Sequence, residues 1–322
     1  MHTLEQLREY FLDYLNQNKF TQSPQELYEP NNYFLQIGGK RLRPALLLLC
    51  TELYNKSYTH ALDAALATEY FHNFTLIHDD IMDDAPLRRG HQTLHEKYNI
   101  TTAILSGDVL LIYAYQCLSK IESKYFNKIF NIFTQTAIEV CEGQQYDINF
   151  EQQQSVTELE YINMIKLKTA VLLAASMQIG AIIGGASAED AIAMYQYGLN
   201  LGIAFQIQDD ILDCYGETKD VGKQLGGDIL QNKKTILFIK ALEQSKNNND
   251  TTLEEIINSK NTDKKVEKVL SIYNKYNIYN YSIERRNNFI QIAKENLEKL
   301  SISNEKKEIL ESLIQHLVIR NS

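Results

Sequence analysis

The chain has 322 residues, 44% of them hydrophobic, which suffices for a substantial core in one large domain. Its 32 Lys and Arg against 41 Asp and Glu give a net charge of −9, which argues against nucleic acid as the main partner. An acidic protein still binds a polyanion when metal ions intervene, because bound cations then dominate the local field.

In chain order, Met1 to Leu15 lacks the basic-then-apolar pattern of a secretory signal. Gly38-Gly39-Lys40-Arg41-Leu42-Arg43-Pro44 offers flexible backbone followed by three cations. Alone, this reads more often as a loop of solvated charges than as a phosphate site. The apolar run Pro44 to Cys50 is far too short to span a bilayer, so a soluble, non-membrane-spanning chain is expected. Cys50, Cys117, Cys141 and Cys214 are dispersed with no CxxC pair, as in a reduced, cytoplasmic protein.

Asp79-Asp80-Ile81-Met82-Asp83 and Asp209-Asp210-Ile211-Leu212-Asp213 repeat one spacing. On a helix, residues four apart share a face with Cβ atoms roughly 6 Å apart. Asp79 with Asp83, and Asp209 with Asp213, then each present two carboxylates, as a magnesium–diphosphate site on two facing helices needs. In a chain this acidic, three such positions arise by chance roughly once, so the weight lies in the all-aspartate repeat and its neighbours. After the first cluster, Pro86 is expected to end the helix, which places Arg88 and Arg89 just beyond the metal face.

Leu105–Leu118, Ile129–Val140 and Thr169–Ile183 are apolar around most of their circumference and read as helices buried on several sides. Gln144 and Asp147 follow an apolar helix, and Lys168-Thr169 interrupts another. That lysine is either a snorkelling edge residue or a phosphate ligand. Gln206 precedes Asp210 by four positions and belongs near the metal face. Lys223, Gly226-Gly227-Asp228 and Asn232-Lys233-Lys234-Thr235 place cations near a metal-bound anion.

No proline occurs from Leu87 to the end, which removes the main helix breaker. Lys246–Asp250 reads as a connection between helices, and Tyr273–Tyr281 as helix or loop despite its tyrosines. Ser303 or Asn304 can cap a last helix with Ile309, Leu310, Leu313 and Leu317 as its apolar stripe. The expectation is a single all-α domain over residues 1–322.

The motifs GGKRLRP, HDDIMDDAPLRRG, GQQYD, Lys168-Thr169, FQIQDDILD and GK followed by GGDILQNKKT together resemble the trans-type (all-E) isoprenyl diphosphate synthases, short-chain type. The resemblance runs from about residue 35 to 240, while the C-terminal third matches only in helical character. It implies the isoprenoid synthase fold, an all-α bundle around a deep central cavity, and usually a homodimer. The implied reaction is a prenyltransferase's: Mg²⁺-assisted coupling of isopentenyl diphosphate to an allylic diphosphate, with two to three ions.

Carried over by position, Asp79 and Asp83 hold ions on the allylic diphosphate and Asp209 a further one. Asp80, Asp210 and Asp213 belong to the same motifs and are candidate further metal ligands by the same resemblance. Arg88, Lys168, Lys223 and Lys233 bind the allylic diphosphate; Lys40, Arg43, His72 and Arg89 bind isopentenyl diphosphate. Gln144 and Asp147 shape the cavity, and Thr169 and Gln206 face the reacting carbons. Without the resemblance, His72 reads as a core histidine.

Phe74, five positions before Asp79, lies about 7.5 Å deeper along the helix and is expected to floor the product shaft, with small Thr75 beside it. The implied product is geranylgeranyl diphosphate, with farnesyl diphosphate the alternative. Two rivals share the fold. A class I terpene cyclase has no need of GGKRLRP or a second cluster, and a non-catalytic synthase subunit typically loses aspartates that are intact here.

Overall fold

In the computed structural model, residues 1–216, 225–259 and 263–318 are described. They are almost entirely helical, and only one two-stranded ribbon occurs among them. The chain divides into two compact units, residues 1–137 with 175–192 and residues 138–174 with 193–322. The boundaries fall within helices α7 (Ser123–Gln152), α9 (Val171–Gly184) and α10 (Ala188–Tyr215).

The first unit begins with α1 (Leu4–Gln17), whose start is fixed by a capping box between Thr3 and Gln6. Next come α2 (Gln25–Gln36) and α3 (Leu42–Leu53), whose Leu46 to Leu49 are fully buried. α4 (Leu62–Met82) is small-residue-rich at Ala64, Ala65 and Ala67, which lets it pack closely against α3 and α6 (Ile100–Leu118). The Thr51 hydroxyl of α3 donates to the Gly180 carbonyl of α9, 3.1 Å away, and a side chain at Gly180 would overlap the Leu47 carbonyl carbon. Between α4 and α6 lie the ribbon, β1 (Leu87–Arg88) and β2 (His91–Gln92), and the short α5 (Leu94–Lys97).

In the second unit the C-terminal part of α10 is the core helix, with Tyr197, Leu201, Ala204 and Ile207 buried. The unit also contains α8 (Glu158–Ile165), α11 (Gly227–Leu230), α12 (Ile236–Asn247), α13 (Thr252–Asn258), α14 (Lys265–Lys275), α15 (Ile278–Glu298) and α16 (Asn304–Leu317). Tyr273–Tyr281 is the end of α14, a turn and the start of α15, and Lys246–Asp250 links α12 to α13. In α16 the buried stripe is Leu310, Leu313, Ile314 and Leu317, so Ile314 takes the place expected of Ile309.

Two expectations need correcting. Thr169–Ile183 is buried on most sides, but α6 is not: Ile104, Leu105 and Ile112 are 41%, 52% and 65% exposed. Ile129–Val140 is likewise one-sided, burying Ile129 and Phe133 while exposing Phe130 and Ile138. Hydrophobicity all round a helix permits full burial but does not supply the neighbours. Second, although Pro44–Cys50 is short, two longer stretches, Ile100–Leu118 and Glu158–Gly184, are apolar and long enough to cross a membrane by length and composition. The second is mostly packed inside the protein.

Candidate active site

The first aspartate cluster occupies the last turn of α4. The helix stops at Met82, four residues before Pro86. Asp84 adopts the left-handed conformation (φ 49), its N–H bonds to the Ile81 carbonyl, and the Ala85 N–H bonds to Asp80. This is a Schellman ending with aspartate where glycine is usual, so the stop is local and the proline merely follows it. Asp79 and Asp83 thus sit at the negative end of the helix dipole, with no basic residue in that turn. Such an all-oxygen set suits a hard divalent cation.

Asp80 points elsewhere. It is buried and receives Arg88 through Nε at 2.8 Å to both oxygens and Nη2 at 2.7 Å. Burial raises its pKa even against that partner. The Arg88 Nη2 also lies 3.5 Å from Asp79, so Arg88 braces the cluster from behind.

Arg89 and Gly90, both with positive φ, form the two-residue turn of the ribbon. The turn sends the Arg89 guanidinium to the Gly38 carbonyl. Gly39 has φ 131, a conformation that favours glycine, and a Cβ there would displace the Arg89 guanidinium, which lies 2.7 Å away at Cζ. The two motifs therefore meet, although 51 residues separate the bonded groups.

Arg43 Nη1 donates to His72 Nε2 at 3.2 Å. Burial first, then Arg43, Arg89, Arg88 and Arg41, hold the His72 pKa well below its ordinary value, so this imidazole is neutral. Arg41, one of the three cations in the loop, is not an anion ligand here. It is buried in an ion pair with Glu69, which also accepts from Asn73. Lys40 is exposed on the same loop.

Phe74 is half-buried on α4, its ring 5.7 Å from Phe71 and 4.7 Å from His78. The Thr75 hydroxyl is turned back onto the His72 carbonyl at 2.8 Å. Asp84, His95 and Glu96 also bring donor atoms within 4.8 Å of one another. His95 Nε2 lies 3.9 Å from a carboxylate oxygen of each acid.

In the second unit, Lys166–Ala170 forms a π-helical turn between α8 and α9. Lys168 and Thr169 lie on it, and such turns recur at functional sites. Gly143 of α7 passes so close that a Cβ would sit 2.6 Å from the Leu167 carbonyl carbon and 2.7 Å from Lys168 Cα. Lys168 Nζ pairs with Asp147 at 2.6 Å, and Thr169 Oγ1 donates to Gln206 Oε1 at 3.2 Å. Gln144 shares this stretch of α7.

Gln206 Nε2 in turn donates to Asp210 at 3.1 Å, and the Tyr161 hydroxyl donates to the same carboxylate at 2.5 Å. Asp210 is buried, and burial followed by the nearby Asp228 raises its pKa to about 7. Asp209 and Asp213 are the half-exposed members, four residues apart on one face of α10. Asp213 accepts the Asp228 N–H at 3.0 Å, which ties the following Gly-Gly-Asp segment to the cluster. Lys233 Nζ lies 4.0 Å from Asp228. Lys223 lies outside the described residues.

Sequence reasoning missed Glu69, Tyr161 and Asp228. Only Asp228 carried a local signal, its place beside two glycines; Glu69 and Tyr161 meet their partners 28 and 49 positions away.

A helical protein with paired carboxylates at helix positions i and i+4, each pair beside clustered cations, belongs to the class that handles metal-bound diphosphates. The polyprenyl synthetase family pattern matches residues 24–275, and the chain belongs to that family. It is 38% identical over 302 residues to a geranylgeranyl pyrophosphate synthase of Geoglobus acetivorans, covering 93% of this chain and 92% of that one. It is 40% identical over 288 residues to a geranylgeranyl diphosphate synthase of Saccharolobus solfataricus, covering 88% and 86%. A crystal structure of a geranylgeranyl pyrophosphate synthase superposes with a TM-score of 0.94 at 42% identity, over 100% of both chains. The all-α expectation holds.

Proposed function

We propose that the protein is a short-chain trans-prenyltransferase that condenses isopentenyl diphosphate with dimethylallyl, geranyl or farnesyl diphosphate to give geranylgeranyl diphosphate. The observation that carries this reading is the pair of intact aspartate clusters on helix faces, joined to relatives that are themselves geranylgeranyl diphosphate synthases. Asp79 and Asp83, with Asp209 and Asp213, form all-oxygen donor sets that fit two to three Mg²⁺ ions. When bound, such ions neutralise the allylic diphosphate and stabilise it as a leaving group.

The remaining steps fall to the chain's own residues. Arg43, Arg89 and Lys40 grip the diphosphate of isopentenyl diphosphate, and neutral His72 offers it a hydrogen bond without adding charge. Lys168 and Lys233 draw the allylic diphosphate; Lys223 serves with them. Arg88 holds Asp80 and the cluster in place and turns its remaining N–H groups to the same anion. The Lys168 carbonyl and the oxygens of Thr169 and Gln206 face the allylic carbons and steady positive charge there. Gln144 and Asp147 shape that wall. The isopentenyl double bond attacks, and the proton lost afterwards passes to the departed diphosphate, so the reaction requires no dedicated protein base.

The exposed apolar stripe on α6 supports a homodimer, and four dispersed cysteines with no CxxC spacing support a cytoplasmic location. Purified protein incubated with Mg²⁺, labelled isopentenyl diphosphate and each allylic diphosphate in turn is expected to yield mainly twenty-carbon product. No consumption of isopentenyl diphosphate with any starter ends this reading.

A further inference from the structure

Within the second unit, α14 reaches back to the segment that follows the second aspartate cluster. That segment, residues 226–235, is fastened at its start: the Gly226 N–H bonds to the Asp213 carbonyl at 2.7 Å and the Asp228 N–H to the Asp213 carboxylate. It is also fastened at its far end. Lys265, only 5% exposed, donates from Nζ to the Leu230 carbonyl at 3.1 Å and to Asn232 Oδ1 at 2.8 Å. Asn232 is left-handed (φ 56) and immediately precedes Lys233. α14 comes so close that a Cβ on Gly226 would lie 2.7 Å from Val266.

A buried ammonium is costly unless its donors are met, and here the oxygens it meets belong to the end of α11 and to the residue before Lys233. We propose that Lys265 is a positioning residue: its buried ammonium fixes the backbone from Leu230 to Asn232 and thereby aims Lys233 at the allylic diphosphate. The C-terminal third, which carries no motif, thus contributes to the site. The kinetic part of this inference rests on the proposed prenyl transfer; the fastening itself does not.

Two measurements separate them. Hydrogen exchange of the full-length protein is expected to show the amides of residues 228–235 exchanging about tenfold faster in Lys265→Met than in wild type, with α10 unchanged. Unchanged exchange at 228–235 overturns the fastening whether or not the protein is a prenyltransferase. In steady-state kinetics, Lys265→Met is expected to raise KM for the allylic diphosphate about tenfold while KM for isopentenyl diphosphate stays within about twofold. Lys265→Arg is expected to recover most of that loss. Equal rises in both KM values, or a lower Tm with neither KM moved, overturn the positioning role. If Lys265→Met does not fold, Asn232→Ala, which removes one of the two acceptors, is expected to show the same asymmetry at about threefold, and its absence there is equally decisive. A wild type inactive on both substrates removes the proposed function, and the exchange result then judges the fastening alone.

Discussion

At the scale of single residues, the two clusters divide their labour by burial. Asp79, Asp83, Asp209 and Asp213 are wholly or partly accessible, whereas Asp80 and Asp210 are buried and engaged by Arg88 and by Tyr161 with Gln206. The middle aspartates therefore orient the cluster from within the protein. Asp79→Ala and Asp209→Ala are expected to lower turnover by about a hundredfold or more while helical circular dichroism persists, because each removes support for charge that develops in the transition state. Near wild-type turnover in either variant would exclude the two-cluster mechanism.

His72 makes a different prediction. Its folded pKa lies below the unfolded value of about 6.5, so below that pH the unfolded chain binds a proton that the folded chain refuses. The contribution to stability is full above about pH 6.5 and is lost as pH falls toward the depressed folded value. The groups that depress it, apart from burial, are Arg43, Arg89, Arg88 and Arg41. Wild type is expected to lose more Tm between pH 7.5 and about 5.5 than His72→Gln does. Parallel Tm curves for the two would show that His72 protonates in place.

At the scale of elements, the π-helical turn shapes the candidate residues of the second unit, and α4 those of the first. The turn at Lys166–Ala170 displaces the backbone that bears Lys168 and Thr169, and Gly143 lets α7 lie against it. Gly143→Ala places a methyl among backbone atoms that cannot rotate away. It is expected to cost about 1–3 kcal/mol of stability and to lower kcat more than it raises either KM. Unchanged stability and kcat would mean that the helices part freely there. On α4, Phe74 is wedged between Phe71 and His78. We propose that Phe74 floors the product shaft, in which case Phe74→Ala lengthens the product by one or more isoprene units. A conserved product distribution with an intact fold would remove Phe74 from that role.

At the scale of the whole molecule, the sequence disclosed what local pattern can encode. The Asp spacing, the Gly-Gly-Lys loop, the Arg pair and the proline-free helical run were all readable, and helix periodicity turned them into faces. Contacts made across long stretches of chain were not: nothing beside Arg41 pointed to its buried partner Glu69, and nothing near Tyr161 pointed to Asp210. A π turn leaves no periodic trace in five residues. Helix α6 failed for a related reason, because hydrophobicity says that a face avoids water without saying what covers it.

That uncovered face leads to the last prediction. Ile100, Ile104 and Ile112 fall at intervals of four or eight on α6, with Leu105 beside them, and all are more than 40% exposed. Phe130, its ring 5.7 Å from Tyr115 of α6, is exposed as well. An apolar stripe of this kind fits an interaction surface, and a second copy of the same chain would present the same stripe for a two-fold contact. Asp108 lies within the stripe, 3.8 Å from His78, the residue just before Asp79. Such a contact would thus border the helix that carries the first cluster. Wild type is expected to sediment at about twice its chain mass of 37.1 kDa, and Ile112→Glu to shift it toward a single chain at micromolar concentration. A wild type that sediments as one chain at every concentration tested would exclude the homodimer.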